Sequence, residues 1–411
     1  MSYSESVFFI PVSFENFESF TTNFSQSGLW KNTPEECYTP RYFLNYILNI
    51  AKDKTAFRSY CLEKPFLFNL YMFEDKIDMP FSPMLEDVRF SCFSTGVGFL
   101  EFWIKYKDAS PENITDFSYR FKKAIVRNLK GENDKKSLYD VAKSILPDDL
   151  SVQLFFTAAT EFKHECHCYH FLHIDKAPEN HLSDKWLFSL KRSYRSDFGM
   201  PEESDGDMIY KPYFNDQWGG SSEGLVNITY DVDNDETDRY LHEFKYSHLR
   251  IDYYFLYLLL LNQRFTCIKY ITGISRALKG TQKELEELNK KIVELKTVFA
   301  FNIVSDDQIF QNVYSKMYNI LGIERLLEDI LDNEAQIEIL RNASAAKAEK
   351  LSSRLLFGIS LLSIFSALVD ASSYFERFDT LSAIATMLGL ICTAAVVLIS
   401  VVWIMKTKNT R

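Results

Sequence analysis

Two long apolar runs near the carboxyl end dominate the pattern of hydrophobic and polar positions along the chain. The first covers residues 355–369 and continues through the small and aromatic residues 371–375, and the second covers 381–405 without a charged side chain. Each run reaches or exceeds about 20 residues, the length that a helix needs to cross the hydrocarbon core of a bilayer. The pattern predicts two transmembrane helices within 351–411, with a buried helix pair as the alternative.

Charged residues around the two runs predict their orientation. Basic residues precede the first run and follow the second, whereas the connecting loop has more acidic than basic residues. The positive-inside rule then places both termini in the cytosol and the loop outside the cell. The amino terminus, MSYSESVFFIP, lacks the basic region of a signal peptide. We therefore expect a multi-pass protein of the inner (plasma) membrane, in contact with its lipid.

Small and polar residues fall on one face of the first run when it is drawn as a helix. Such a stripe predicts the wall of an oligomeric pore, with a carboxylate at the outer mouth that favours cations. The predicted pore-lining residues are Ser360, Ser363, Ser366, Ala367 and Asp370. The alternative is that the serine hydroxyls donate hydrogen bonds to their own helix and allow close helix packing.

The segment before the apolar runs predicts long helices, because the last proline of the chain is Pro212. An apolar stretch at 251–261 is too short to span a bilayer and is expected to be buried in protein. Apolar residues from Leu285 to Phe299 follow a heptad spacing. A third helix, from Asp306 into the first apolar run, would be about 95 Å long. We expect a helical stalk over 236–350, which could transmit movement or only hold subunits together.

The first 235 residues predict a cytosolic α/β or α+β sensor domain. Strand patterns occur in ESVFFIPVSF, in KPFLFNLYMFE, twice within VRFSCFSTGVGFLEFWIKYK, and from SVQLFFTAATEF onward through HECHCYHFLHI. Helix patterns occur in PRYFLNYILNIAK, ITDFSYRFKKAIVRNLKG and SLYDVAKSIL. The predicted domains are therefore 1–235, 236–350 and 351–411.

One of these strands carries candidate metal ligands. Imidazole and thiolate groups alternate in HECHCYHFLHI, so a strand places His164, Cys166, Cys168 and His170 on one face. These groups bind zinc, although four ligands in line on one strand cannot close a tetrahedron, and the alternative is a partly buried strand. DVDNDE, at 231–236, imitates the start of a calcium loop, but position six is Glu236 and position twelve is His242.

Composition and motifs exclude several classes of function. The formal net charge of −10 at pH 7 argues against binding to nucleic acid, whose affinity depends on basic residues. The sequence contains no G-x-S-x-G, H-E-x-x-H or Walker A motif. We therefore expect that the protein is not an enzyme.

The layout as a whole resembles the CorA family of divalent-cation channels. VRFSCFSTGVGFLEF resembles an early sheet hairpin of that family, and SDDQIFQNVYSKMYNILGIERLLEDILDN resembles its helix pair leading into the stalk. The resemblance implies a CorA-like fold, in which the stalk helices are antiparallel, and a homopentamer whose first membrane helix lines the pore. The family's Gly-Met-Asn triplet is missing, since residues 369–375 read VDASSYF.

CorA-like proteins without that triplet include membrane effectors associated with type III CRISPR systems. Resemblance to this branch implies an ion channel in antiviral defence, gated by a nucleotide second messenger, S-adenosylmethionine joined to AMP. The alternative is a constitutive or metal-regulated transporter of a divalent cation with an altered pore mouth. Basic and aromatic side chains suit such a nucleotide, and the candidate ligand-binding residues are Arg89, Thr95, Trp218 and Arg264.

Overall fold

The fold is seen in a computed structural model of the chain. It describes residues 3–63, 82–123, 138–146, 153–154, 166–179, 182–199, 207–277, 282–332 and 349–360, together with 363 and 389. The chain forms two compact units, Met1–Asp332 and Asn333–Arg411. The first unit contains every sheet strand and the candidate site.

The strands of the described residues form one mixed sheet. They are β1 (Ser4–Ser13), β2 (Trp30–Asn32), β3 (Phe57–Leu62), β4 (Ser82–Phe93), β5 (Val97–Lys107), β6 (Gln153–Leu154), β7 (His167–Ile174), β8 (Met208–Tyr213), β9 (Asp216–Gly220) and β10 (Gly224–Tyr230). Their order is β2-β3-β4-β5-β1-β7-β10-β9-β8, and β6 pairs with β1. The pair β7 and β10 is parallel, whereas β1 pairs antiparallel with both β5 and β7.

The central strands are apolar on both faces because helices cover both. On one face, Phe8 and Ile10 of β1 join a core with Phe20 and Phe117 from the helices. On the other face, Phe9 packs against Tyr257, with ring centroids 5.7 Å apart. Near-continuous apolar sequence in β1 and β5 is the consequence of this double burial.

The helices are short on the first face and form one long series on the second. The first group comprises α1 (Phe17–Gln26), α3 (Pro111–Lys123), α4 (Leu138–Ile145) and α5 (Leu182–Arg192). Helix α2 (Asn45–Lys52) lies on the second face, where Phe43, just before it, packs against Phe255 with ring centroids 5.6 Å apart. The series comprises α6 (Asp235–Arg239), a π-helical turn (Tyr240–Lys245), α7 (Tyr246–His248), a second π-helical turn (Leu249–Tyr253) and α8 (Tyr254–Ala277). Beyond it lie α9 (Gln282–Glu294), a π-helical turn (Leu295–Phe299) and α10 (Gln308–Ile320). The apolar stretch 251–261 is buried here, as predicted.

The predicted stalk of long antiparallel helices is wrong. The expected continuous helix from Asp306 is interrupted after α10, where Gly322 has φ +66° and its N–H donates to the carbonyl oxygen of Asn319. A left-handed residue at this position ends a helix. The heptad residues Ile292, Leu295 and Phe299 are buried within the first unit, where Phe299 meets Phe93 of the sheet at 6.0 Å.

The part of the expected fold class that concerns the carboxyl end, two transmembrane helices, is also wrong. Among the described residues, no helix combines the length and the apolar character needed to cross a membrane. Most of the two apolar runs lies outside the described residues. The prediction of two transmembrane helices, and with it the multi-pass membrane location and the membrane-channel description, is therefore not supported.

Candidate functional site

A cavity of about 520 Å³ lies in the first unit where four chain segments meet. They are the turn between β8 and β9, the helical series just after α6, the loop that carries Tyr42, and the start of α10. These turns and helix ends lie close together because the strands and helices that carry them pack against the sheet. The volume falls within the range of about 300–1,000 Å³ that is typical of small-molecule sites.

Exposed aromatic side chains surround this cavity. Tyr42, Tyr213, Phe214 and Tyr240 are 46%, 59%, 70% and 49% exposed, and all four line the cavity. Large aromatic groups are usually buried, so a group of them left in solvent around a concave surface marks a binding site. Burial, with a smaller contribution from nearby acidic groups, raises the pKa of Tyr240. Its ring therefore remains an uncharged phenol.

The inner part of the cavity is built from buried rings. Tyr253 lies with its ring centroid 4.8 Å from Phe310 and 4.4 Å from Trp218. Burial raises the pKa of Tyr253 well above its ordinary value. The rings of Trp218 and Phe310 are tilted by 40° and 48° to that of Tyr253, and together they form a neutral aromatic surface that a planar group could contact.

A buried ion pair forms one side of the cavity. Nζ of Lys245 lies 2.6 Å from Oδ2 of Asp216, and both side chains are more than 90% buried. The amide of Asn227 donates to the other oxygen of Asp216 at 2.6 Å. Lys245 also lies 5.1 Å from the ring centroid of Tyr253. The positive charge of Lys245 is therefore balanced within the protein.

Two further carboxylates line the cavity and fix its walls. Asp252 accepts the backbone N–H groups of Arg41 and Tyr42 through Oδ1, at 2.6 and 3.3 Å, and contacts His248 through Oδ2. Asp307 caps α10 by accepting the N–H of Phe310 at 2.8 Å. Since Asp216 is balanced by Lys245, these two groups leave the lining acidic. The cavity therefore favours a flat ligand that carries positive charge.

The predicted ligand-binding residues do not lie together in the structure. Arg89 lies on β4, buried, with Nε 2.8 Å from Oδ2 of Asp87 and its guanidinium over the ring of Trp103. Trp218 lies on β9, five strands away, which corresponds to about 24 Å. Of the predicted residues, Trp218 is the one that contacts the cavity wall, through Tyr253.

The two remaining candidates lie away from the cavity. The hydroxyl of Thr95, in the turn between β4 and β5, donates to the side chain of Asn262 at 2.9 Å. Arg264 lies on α8 and donates to the carbonyl oxygen of Ser222 at 3.4 Å. Neither residue lines the cavity.

The predicted zinc ligands lie on one face of β7 and its approach, as the alternation indicates, but they have protein partners. Cys168 contacts the hydroxyl of Ser193 at 3.3 Å, and Cys166 is buried in the core. His170 contacts the hydroxyls of Ser6 and Ser118. His164 lies outside the described residues. The arrangement matches the alternative of a buried strand with internal polar contacts.

The predicted pore residues fall largely outside the described part of the chain. Ser360 and Ser363 are exposed and donate to the carbonyl oxygens of Leu356 and Ile359, at 2.8 and 2.9 Å. These are hydrogen bonds within the helix, as the alternative interpretation expects. Ser366, Ala367 and Asp370 lie outside the described residues.

A different group of residues could hold a metal ion. Within the described residues, the metal-ligating side chains that converge are His173, Asp231 and His242. His173 belongs to the histidine-rich strand but lies on its opposite face. Asp231 and His242 are positions one and twelve of the segment that fails as a calcium loop. Sequence inspection recorded all three residues, but their convergence depends on how the loop folds back onto β7.

Comparison with protein-family models, with curated proteins and with solved structures finds no match to this chain.

Proposed function

We propose that the first unit, Met1–Asp332, is a sensor domain that binds an adenosyl ligand with a sulfonium and an ammonium group in the aromatic cavity. The ligand class follows from the resemblance to CRISPR-associated effectors, namely S-adenosylmethionine joined to AMP. In that role the chain would receive a second messenger of antiviral defence. A binding function, rather than catalysis, accords with a lining of aromatic rings and structurally engaged carboxylates.

The single observation that carries this proposal is the group of exposed aromatic rings around an acidic cavity. Four rings that are 46–70% exposed line it, and the carboxylates of Asp252 and Asp307 lie among them. A sulfonium or ammonium group over such rings gains about 0.5–2 kcal/mol per contact, depending on how well it is desolvated. The methionine part of the ligand carries both of these cations.

The adenine rings of the ligand have suitable partners in the same cavity. Adenine rings stack on aromatic side chains, a contact that is worth about 1–3 kcal/mol per base. The methionine carboxylate and the phosphodiester each carry one negative charge. Because Lys245, the lysine of the described lining, is already paired with Asp216, we expect these two anions to face solvent. A ligand with several phosphates would meet Asp252 and Asp307 without enough positive charge to balance them.

Calorimetry of the full chain tests the binding. We expect saturable heat with S-adenosylmethionine joined to AMP, and binding about tenfold weaker with the thioether analogue that lacks the sulfonium charge. Phe214→Ala should weaken binding by about tenfold or more, because a stacking surface is lost. Phe198→Ala is the matched control, since Phe198 is also an exposed phenylalanine, at 56%, and does not line the cavity.

Two results would contradict the proposed function. One is the absence of heat with the conjugate and with S-adenosylmethionine alone. The other is equal loss of binding in the Phe214 and Phe198 variants, which would place the ligand elsewhere.

A further inference from the structure

The end of β7 and the segment after β10 bring two imidazoles and a carboxylate to one point. Nε2 of His173 lies 3.0 Å from Oδ1 of Asp231, and Nε2 of His242 lies 3.1 Å from the same oxygen. The ligand atoms of the three residues all lie within 4.8 Å of one another. This limit slightly exceeds the roughly 4.2 Å that two zinc bonds of about 2.1 Å can span, so a small side-chain movement would let one ion contact all three.

The backbone around Asp231 is held by several hydrogen bonds. The N–H of Asp231 donates to the carbonyl oxygen of Ile174 at 3.3 Å, which extends the pairing of β10 with β7. The N–H groups of Val232 and Asn234 donate to the carboxylate of Asp238 at 2.9 and 3.1 Å. The loop therefore has a fixed shape, so the carboxylate is positioned before any ion binds.

The hydroxyl of Thr229 is the partner of the second ring nitrogen of His173. Its oxygen lies 2.9 Å from Nδ1 of His173 and 3.4 Å from the carbonyl oxygen of Leu172. Without an ion, Nε2–H of His173 can donate to Oδ1 of Asp231 at 3.0 Å while Nδ1 accepts from the hydroxyl. With an ion on Nε2, the ring proton is on Nδ1, which donates to Oγ1 of Thr229. Both arrangements keep Nε2 directed at Asp231.

We propose that His173, Asp231 and His242 bind a divalent transition-metal ion of the zinc class. Two imidazoles and one carboxylate suit zinc, whereas magnesium and calcium prefer oxygen ligands alone. Zinc bonds of 2.0–2.1 Å in a tetrahedron separate neighbouring ligand atoms by about 3.3 Å, close to the 3.0 and 3.1 Å between Asp231 and the two imidazoles. An outer contact from Nδ1 of a ligating histidine to a hydroxyl is also typical of such sites.

The site has one buried side and one accessible side. The side chain of His173 is fully buried, whereas those of Asp231 and His242 are 23% and 22% exposed. An ion could therefore enter past Asp231 and His242. Three protein ligands leave a fourth position for water or another ligand, as in zinc sites that do more than stabilise a fold.

The candidate metal site lies next to the aromatic cavity along the chain. This relationship does not depend on which ligand the cavity binds. Val232 and Leu241, which line the cavity, directly follow Asp231 and directly precede His242. A bound ion would tie this wall to β7 and restrict its movement.

Metal analysis of the tag-free full chain tests the site. After dialysis against EDTA and return of zinc, we expect one tightly bound zinc per chain. His242→Gln and Asp231→Asn should each weaken zinc binding more than tenfold in competition with a chromophoric chelator. His248→Gln is the control, because His248 forms a similar pair with Asp252 at 2.9 Å but has no third ligand in the described residues, so it should keep its zinc.

Cobalt substitution provides a second measurement that needs no variant. A tetrahedral site with two nitrogen ligands and oxygen should give intense visible absorption with Co²⁺, and zinc should displace it. If wild-type protein binds no zinc, or if His242→Gln and Asp231→Asn bind zinc as tightly as wild type, the proposal fails. The three residues would then form only a hydrogen-bonded cluster shared with a proton.

Discussion

Nδ1 of His173 lies 2.9 Å from Oγ1 of Thr229, and the two residues are register partners on the parallel strands β7 and β10. Parallel pairing thus brings together two side chains that are 56 positions apart. When an ion is bound at Nε2, the hydroxyl of Thr229 accepts the N–H at Nδ1, so Thr229 would position Nε2 towards Asp231 without itself contacting the ion.

We predict that Thr229→Val weakens zinc binding at His173, Asp231 and His242 by about tenfold, because loss of an outer contact typically costs 10–100-fold in affinity. The zinc-to-protein ratio at saturation should stay the same, since all three ligands remain. A competition titration with a chromophoric chelator measures both quantities.

Thr229→Ser separates this role from simple packing. Serine keeps the hydroxyl and loses a methyl group, so it should restore zinc affinity while lowering stability somewhat. If the valine and serine variants bind zinc equally well, Thr229 does not position the imidazole.

Removal of either partner of the buried pair Lys245–Asp216 should destabilise the fold strongly. Asp216→Asn leaves the ammonium of Lys245 buried without a counter-charge, and we predict a loss of about 3–5 kcal/mol in the free energy of unfolding. Urea denaturation, followed by circular dichroism, measures the change.

Lys211–Asp184 provides a matched surface pair. Its Nζ–Oδ1 distance is also 2.6 Å, but its side chains are 37% and 30% exposed. Lys211→Met should cost no more than about 1 kcal/mol, because solvent screens exposed pairs. If Asp216→Asn and Lys211→Met lower the free energy of unfolding equally, burial does not determine how strongly the Lys245–Asp216 pair stabilises the fold.

Buried histidines in β7 should make the fold sensitive to acid. Burial lowers the pKa of His170 from 6.5 to about 3. Between these values the unfolded chain binds a proton at this residue and the folded chain does not. Stability is therefore complete above pH 6.5 and falls as the pH decreases, by up to about 1.4 kcal/mol per pH unit for this residue.

Urea denaturation at pH 7, 6 and 5 tests this dependence, and His170→Gln should reduce the slope by about 1.4 kcal/mol per pH unit. Part of the slope should persist in the variant, because the pKa of His167 is also lowered by burial. An unchanged slope in His170→Gln would mean that His170 does not titrate as its burial indicates.

Local sequence patterns identified some elements of the sheet and missed others, since β2, β3, β8, β9 and β10 were not predicted. ESVFFIPVSF became β1, VRFSCFSTGVGFLEFWIKYK became β4 and β5 around the turn at Gly96, and SLYDVAKSIL became α4. Alternation and glycine position are local signals, so they survive without knowledge of the partner strands. KPFLFNLYMFE lies outside the described residues.

Local sequence patterns predicted the helices after residue 235 less well. Absence of proline and a heptad spacing predicted a stalk, but a single glycine, Gly322, ends α10 with φ +66°. The apolar seam from Ile292 to Phe299 packs inside the unit. A heptad pattern shows that a helix has an apolar face, and it does not identify the surface that covers this face.

The sequence by itself determined the strands β1, β4, β5 and β7, the burial of residues 252–261 and the alternation of polar groups along β7, because each depends on neighbours a few positions away. Only the tertiary structure decided which residues form sites. The aromatic rim combines Tyr42 with Phe214 and Tyr240, and the candidate metal site combines His173 with Asp231 and His242. The physical reason is that sheet pairing and the return of the helical series onto it bring together side chains that are distant in sequence.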